Sequence, residues 1–129
     1  MEIGRKKIVI LPLENVTDTA TGKEQPEDVT DFRIRKDVID RLKALKSVSR
    51  VIITSEKDDK EFLPMMKAVE FFVFVYCNTA VMVTSSLDEL AETLPHSLKR
   101  KELMLSVGDK AAAEYFNTDY ITLEDFLNL

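Results

Sequence analysis

Lys7 to Leu13, KIVILPL, decides the fold. The run is rich in β-branched residues and lacks polar alternation, so it reads as a strand covered on both faces. It is the expected central strand. Three more apolar runs follow along the chain: Arg50 to Thr54 (RVIIT), Ala80 to Thr84 (AVMVT) and Leu103 to Val107 (LMLSV). Tyr120 and Ile121 suggest a brief fifth strand.

Helical patterns separate these strands. Val38, Ile39, Leu42 and Leu45 fall at helical spacing within Lys36 to Lys46, with charges on the opposite side. Glu61 to Cys77 reads as a long apolar helix, with Pro64 tolerable in a first turn. Its end, Phe71 to Tyr76, fits a helix or a strand equally, because short apolar runs carry no decisive period. Ser86 with Glu89, and Thr122 with Asp125, resemble capping boxes for helices over Leu87 to Leu94 and at the C-terminus. A short helix or turn is expected over Ser97 to Glu102, and Lys110 to Phe116 is an alanine-rich helix. Glu14 to Arg35, containing Gly22 and Pro26, has no sustained period and reads as a long surface loop.

Strands alternating with helices predict parallel pairing and right-handed crossovers. The fold class is therefore α/β: a three-layer, Rossmann-like domain with a short parallel sheet of about five strands flanked by helices and no cap domain. The length of 129 residues fits a single domain over residues 1–129. Ligands of such sheets bind beyond the carboxyl ends of the strands.

Composition narrows the function classes. Hydrophobic residues at 45% and charged residues at 32% describe a folded globular chain. A net charge of -5 with dispersed basic residues gives no attraction for phosphate backbones, so no nucleic-acid partner is expected. No apolar run approaches the roughly 20 residues needed to cross a bilayer, so no membrane partner is expected either. Cys77 is the single cysteine and precludes an intramolecular disulfide, which makes the cytoplasm the expected setting. His96 is the single histidine and follows Pro95 in a polar stretch, so a zinc site or a Cys-His dyad has no basis. Gly4, Gly22 and Gly108 are too dispersed to form a nucleotide-cradling loop.

The carboxyl ends of the strands carry L-P-L-E-N-V-T-D-T after the first and V-I-I-T-S after the second. They carry L-S-V-G-D after the fourth, and F-R-I-R-K-D-V-I-D-R-L-K-A-L lies between the first two. In this order they resemble the haloacid dehalogenase (HAD) superfamily, in particular the branch of polynucleotide 3′-phosphatases and histidinol-phosphate phosphatases, over Lys7 to about Asp125.

The resemblance implies a nucleophilic Asp at the end of the first strand and an acid-base Asp two residues later, around Mg²⁺. Pro12 and Glu14 occupy those positions. Proline offers neither a nucleophile nor a metal ligand, so no aspartyl-phosphate forms there. On an extended strand Glu14 would lie about 6.6 Å beyond position 12, too far for an unchanged substrate pose. Thr54 matches the family's phosphate-binding hydroxyl and equally fits a strand-end cap. Asp109, with Gly108, matches the fourth motif, and Glu114 stands where relatives often carry another acid. Asp109 also fits a helix N-cap. Lys99, Arg100 and Lys101 lie at the amino end of the fourth strand, the wrong pole for a phosphate-neutralising cation; Lys57 or Lys60 would approach from the correct one.

Loss of a covalent nucleophile costs on the order of a millionfold, or roughly 8 kcal/mol of transition-state stabilisation. The expected function is therefore a HAD-like domain without phosphatase activity, binding an unidentified small molecule or protein and requiring no cofactor. Thr54 is its phosphate-binding candidate, and Asp109, Glu14 and Glu114 form a vestigial metal set. The enzymatic alternative is a divergent Mg²⁺-dependent phosphomonoesterase using Glu14, Asp109 and Asp18. A third reading, from Phe71, Phe72, Phe74, Tyr76, Phe126, Leu127 and Leu129, is a structural subunit of a homodimer or larger homo-oligomer.

Overall fold

The computed structural model describes residues 3–19, 32–55 and 63–129. In chain order these form strand β1 (Ile8–Pro12), helix α1 (Leu13–Val16), β2 (Thr17–Thr19), β3 (Phe32–Ile34), α2 (Lys36–Ala44), β4 (Arg50–Thr54), α3 (Leu63–Cys77), β5 (Ala80–Thr84), α4 (Leu87–Thr93), β6 (Met104–Val107), α5 (Lys110–Phe116), β7 (Asp119–Ile121) and α6 (Leu123–Leu127). Three 3-10 turns, Ile3–Arg5, His96–Leu98 and Lys101–Leu103, complete the described elements. None of the described helices is long and apolar enough to cross a membrane.

The main sheet has the order β5-β4-β1-β6-β7 and every pairing in it is parallel. β1 is central, as its unbroken apolar run requires, and Ile8, Val9, Ile10 and Leu11 are all fully buried. Strand alternation divides them between two layers. Val9 and Leu11 pack with Val51, Ile53, Leu105 and Val107 against Val38, Ile39 and Leu42 of α2, Met65, Val69 and Val73 of α3, and Phe126 of α6. Ile8, Ile10, Ile52 and Met104 face the other way, onto Leu90 of α4 and Ala112 of α5. The chain therefore winds outward from β1 along one face to β4 and β5. It then crosses back on the opposite face to β6 and β7. β1 and β6 are neighbours whose exits turn to opposite faces, which opens a crevice at their carboxyl ends.

The segment Glu14 to Arg35 departs from the expected loop. β1 ends at Pro12, a single helical turn follows at once, and β2 pairs antiparallel with β3 through Thr17↔Ile34, Asp18↔Arg33 and Thr19↔Phe32. Arg35 N–H donates to the Val16 carbonyl at 2.7 Å and closes the base of this hairpin. Three-residue strands and one helical turn are shorter than any window in which periodicity shows. Gly22 and Pro26 lie outside the described residues, as do Lys57, Lys60, Glu61 and Phe62. Phe71 to Tyr76 is helical, continuous with α3, and Pro64 sits in the first turn.

The caps fall where the sequence places them. The Ser86 hydroxyl accepts from Glu89 N–H at 3.2 Å, Thr122 from Asp125 N–H at 3.1 Å, and the Asp109 carboxylate from Ala112 N–H at 3.0 Å. Ser86 makes only the forward half of a capping box, because its own N–H donates to Thr84 Oγ1 at 3.2 Å.

Candidate functional site

A cavity of about 340 Å³ opens at the carboxyl edge of the sheet, lined by Pro12, Glu14, Thr54, Ser55, Thr84, Ser85, Ser86, Leu87, Gly108, Asp109, Lys110 and Ala111. Parallel register brings these residues together from distant parts of the chain. Pro12 lies beside Thr54, and Thr54 beside Thr84, as the last residues of their strands. The β1–β6 ladder stops at Ile10↔Ser106, two residues short of Pro12, so a proline is tolerated at the end of a central strand. Its φ of -71° and ψ of 155° then turn the chain directly into α1. Because β1 does not continue, Glu14 reaches the cavity from a helical turn and not from an extended strand.

Thr54 and Asp109 meet. Thr54 Oγ1 donates to Asp109 Oδ2 at 2.9 Å, while Asp109 Oδ1 accepts the Ala112 N–H. Ser106 Oγ adds a 2.5 Å bond to the Asp109 carbonyl. Asp109 is thus the cap of α5 and also the link between β4 and β6.

Gly108 takes a φ of +76°, a conformation that costs side chains strain. A β-carbon there would also land on the Asn15 side-chain amide. Asn15 Nδ2 donates to the Val107 carbonyl at 3.3 Å, fastening the turn after β1 to the end of β6. The Gly108-Asp109 pair therefore has a structural reason independent of any ligand.

Glu14 and Asp109 border the same cavity, whereas Glu114, exposed on the second turn of α5, is not among its lining residues. Among the described residues no three His, Cys, Asp or Glu side chains gather as a metal cluster. The donor set does not fit the Mg²⁺ site that the resemblance implies: its central carboxylate is replaced by Pro12, which leaves Glu14 and Asp109 as the carboxylates on the cavity wall.

Neither Thr54 nor Thr84 is prepared as a hydroxyl nucleophile. The Thr54 proton points to a carboxylate, a weak base toward an alcohol. Thr84 Oγ1 is engaged by the backbone N–H and carbonyl of Ser86, and His96 lies in a 3-10 turn away from the cavity.

Sequence reading missed Asn15, the Thr84-Ser85-Ser86 wall and Lys110. Lys110 brings an ammonium to the correct pole, where it lies 5.7 Å from the centre of the Tyr120 ring. Its signal was its position directly after Asp109. Lys99, Arg100 and Lys101 do lie ahead of β6: Lys99 Nζ donates to the Ala91 carbonyl at 2.8 Å and Arg100 pairs with Glu102.

A larger cavity, about 630 Å³, lies between β3, α2 and α3 and shares no lining residue with the first. Comparison of the chain with family models, curated proteins and solved structures gives no match.

Proposed function

We propose that this chain is a HAD-like domain without covalent phosphoryl-transfer activity, whose carboxyl-edge cavity holds a small polar ligand non-covalently. The observation that carries the reading is Pro12 at the end of the central strand, beside the β1/β6 crevice where ligands of doubly wound sheets bind. The supporting geometry is a cavity walled by hydroxyls and by the first residues of α5, with the Asp109 carboxylate held by Thr54 and by the α5 backbone. Such a surface orients a ligand through hydrogen bonds and supplies no group that attacks it. A cytoplasmic setting goes with this reading. The thiol of the half-buried Cys77 is pushed up by desolvation, so it behaves as a small apolar side chain.

The test is phosphate release from a panel of phosphomonoesters, with and without Mg²⁺, alongside nuclear magnetic resonance titration of the same compounds. The reading expects no turnover, with binding-induced shifts confined to Thr54, Ser85, Ser86 and Lys110. Mg²⁺-dependent turnover that disappears in Asp109→Ala would instead establish a rearranged phosphohydrolase working through Glu14 and Asp109.

A further inference from the structure

α3 is apolar apart from Lys67 and Glu70, close to the pattern expected of a helix buried on all sides. Only one side is buried. Met65, Val69 and Val73 enter the core, while Leu63, Phe71, Phe74 and Val75 are 45%, 59%, 50% and 51% exposed. Phe72 and Tyr76 stack on each other, with ring centres 6.1 Å apart, along the side that faces α2. Phe71 and Phe74 instead border a cavity of about 420 Å³, together with Lys67, Glu70 and Val81 of β5.

Among the described residues β5 is the edge strand of the sheet, paired only with β4. Ser55 N–H donates to the Thr84 carbonyl, so Thr84 and Met82 direct their backbone groups toward β4. Alternation then turns the N–H and carbonyl groups of Val81 and Val83 outward. Edge strands are ordinarily blunted by charge, proline or a bulge. Ala80–Thr84, AVMVT, carries neither a charge nor a proline.

We propose that two copies of this chain associate through α3 and β5, extending the sheet across a two-fold axis near Met82. Antiparallel pairing about that axis sets Val81 of one copy opposite Val83 of the other, each pair exchanging both backbone bonds. Self-complementarity is what selects a second copy as the occupant. The edge is neutral, and the flanking helix face carries one cation and one anion, Lys67 and Glu70, so the axis brings opposite signs within reach.

The area also suits a copy. With about 150 to 250 Å² per aromatic side chain, the half-exposed face of α3 offers on the order of 400 Å² of apolar surface. A standard interface takes about 800 Å² from each partner, and the β5 edge with the polar flank of α3 provides the remainder.

Size-exclusion chromatography with light scattering over a concentration series tests the proposal. The native chain is expected at twice its chain mass. Phe74→Glu, at a half-exposed position that leaves the core intact, is expected to raise the dissociation constant at least about tenfold with an unchanged circular dichroism spectrum. Hydrogen exchange gives a second readout: the Val81 and Val83 amides are protected in the native chain and exposed in Phe74→Glu, while the Met82 amide is protected in both. A monomer at every concentration, or a dimer indifferent to Phe74→Glu, would overturn the proposal.

Discussion

Thr54 donates its hydroxyl proton to Asp109 across 2.9 Å, joining the carboxyl ends of β4 and β6 over the tip of β1. The two partners are unequal. Thr54→Val removes one hydrogen bond from a carboxylate that keeps the Ala112 N–H, and is expected to cost about 1 kcal/mol. Asp109→Ala removes the same bond together with the α5 cap, worth a further 0.5 to 2 kcal/mol by the usual range for caps (about 1 at the centre). Urea unfolding should rank Asp109→Ala as the less stable variant. The reverse order would mean that the α5 cap contributes little.

Gly108 and Asn15 are coupled by contact. Gly108→Ala meets two penalties: a positive φ, worth about 1 to 3 kcal/mol, and a collision with the Asn15 amide. Asn15→Ala relieves only the second. A double-mutant cycle on unfolding free energy should therefore show the two substitutions together costing less than the sum of each alone. Strict additivity would remove the close approach as a reason for glycine.

The reading of the sheet from sequence succeeded where burial is complete. β1 and β4 fall on KIVILPL and RVIIT because a strand covered on both faces leaves an unbroken apolar run, and AVMVT marks β5 although it is only partly buried at the sheet edge. The hairpin of β2 and β3 was hidden, since its short strands lie among polar residues of a segment that looks like loop. The end of α3 was ambiguous for the opposite reason: Phe71 to Tyr76 is apolar on all sides and shows no period. In the site, strand ends named Pro12, Thr54 and Asp109, but sequence could not show that Thr54 and Asp109 bind each other. Lys6 was wholly illegible. A lysine ahead of a strand looks solvated, yet it is 1% exposed and its partner Asp119 lies far along the chain.

That pair, at the pole opposite the cavity, makes stability depend on acid pH. Lys6 Nζ donates to Asp119 Oδ2 at 2.6 Å and to the Lys101 carbonyl at 3.1 Å. The Lys6 hydrogen bond holds the Asp119 carboxyl below the usual carboxylate range, against the opposing effect of its partial burial. A depressed carboxyl favours the folded state above its unfolded pKa of about 3.9, and that contribution disappears as pH falls through the folded value. Asp119→Asn should thus be destabilised near neutrality and converge on the native chain in strong acid. Because Asp119 is 28% exposed and Lys6 is not, Asp119→Asn strands a buried ammonium, whereas Lys6→Met leaves a carboxylate in reach of water. Asp119→Asn is therefore the costlier change, by about 2 to 4 kcal/mol against less than about 1.5 for Lys6→Met. Urea unfolding at a series of pH values measures both, and a Lys6→Met cost equal to or above that of Asp119→Asn would refute this account of the pair.

Pro12→Asp separates a site that lacks only its nucleophile from one whose supporting groups have also changed. The substitution is sterically mild: position 12 already has the extended backbone of an N-cap, and an Asp side chain there could cap α1, while the lost rigidity of proline offsets part of that gain. Stability should change by less than about 1 kcal/mol. Activity is expected to remain absent with Mg²⁺, because Asp109 stays engaged by Thr54 and Ala112 and Glu14 approaches the cavity from a helical turn instead of from the strand. Phosphate release with native and Pro12→Asp protein under identical Mg²⁺ concentrations measures this. Turnover in Pro12→Asp alone would show that Glu14, Asp109 and Lys110 are still arranged for catalysis and that one residue silences the site. Continued silence in a folded variant supports a cavity whose hydrogen bonds now serve the scaffold and a bound ligand.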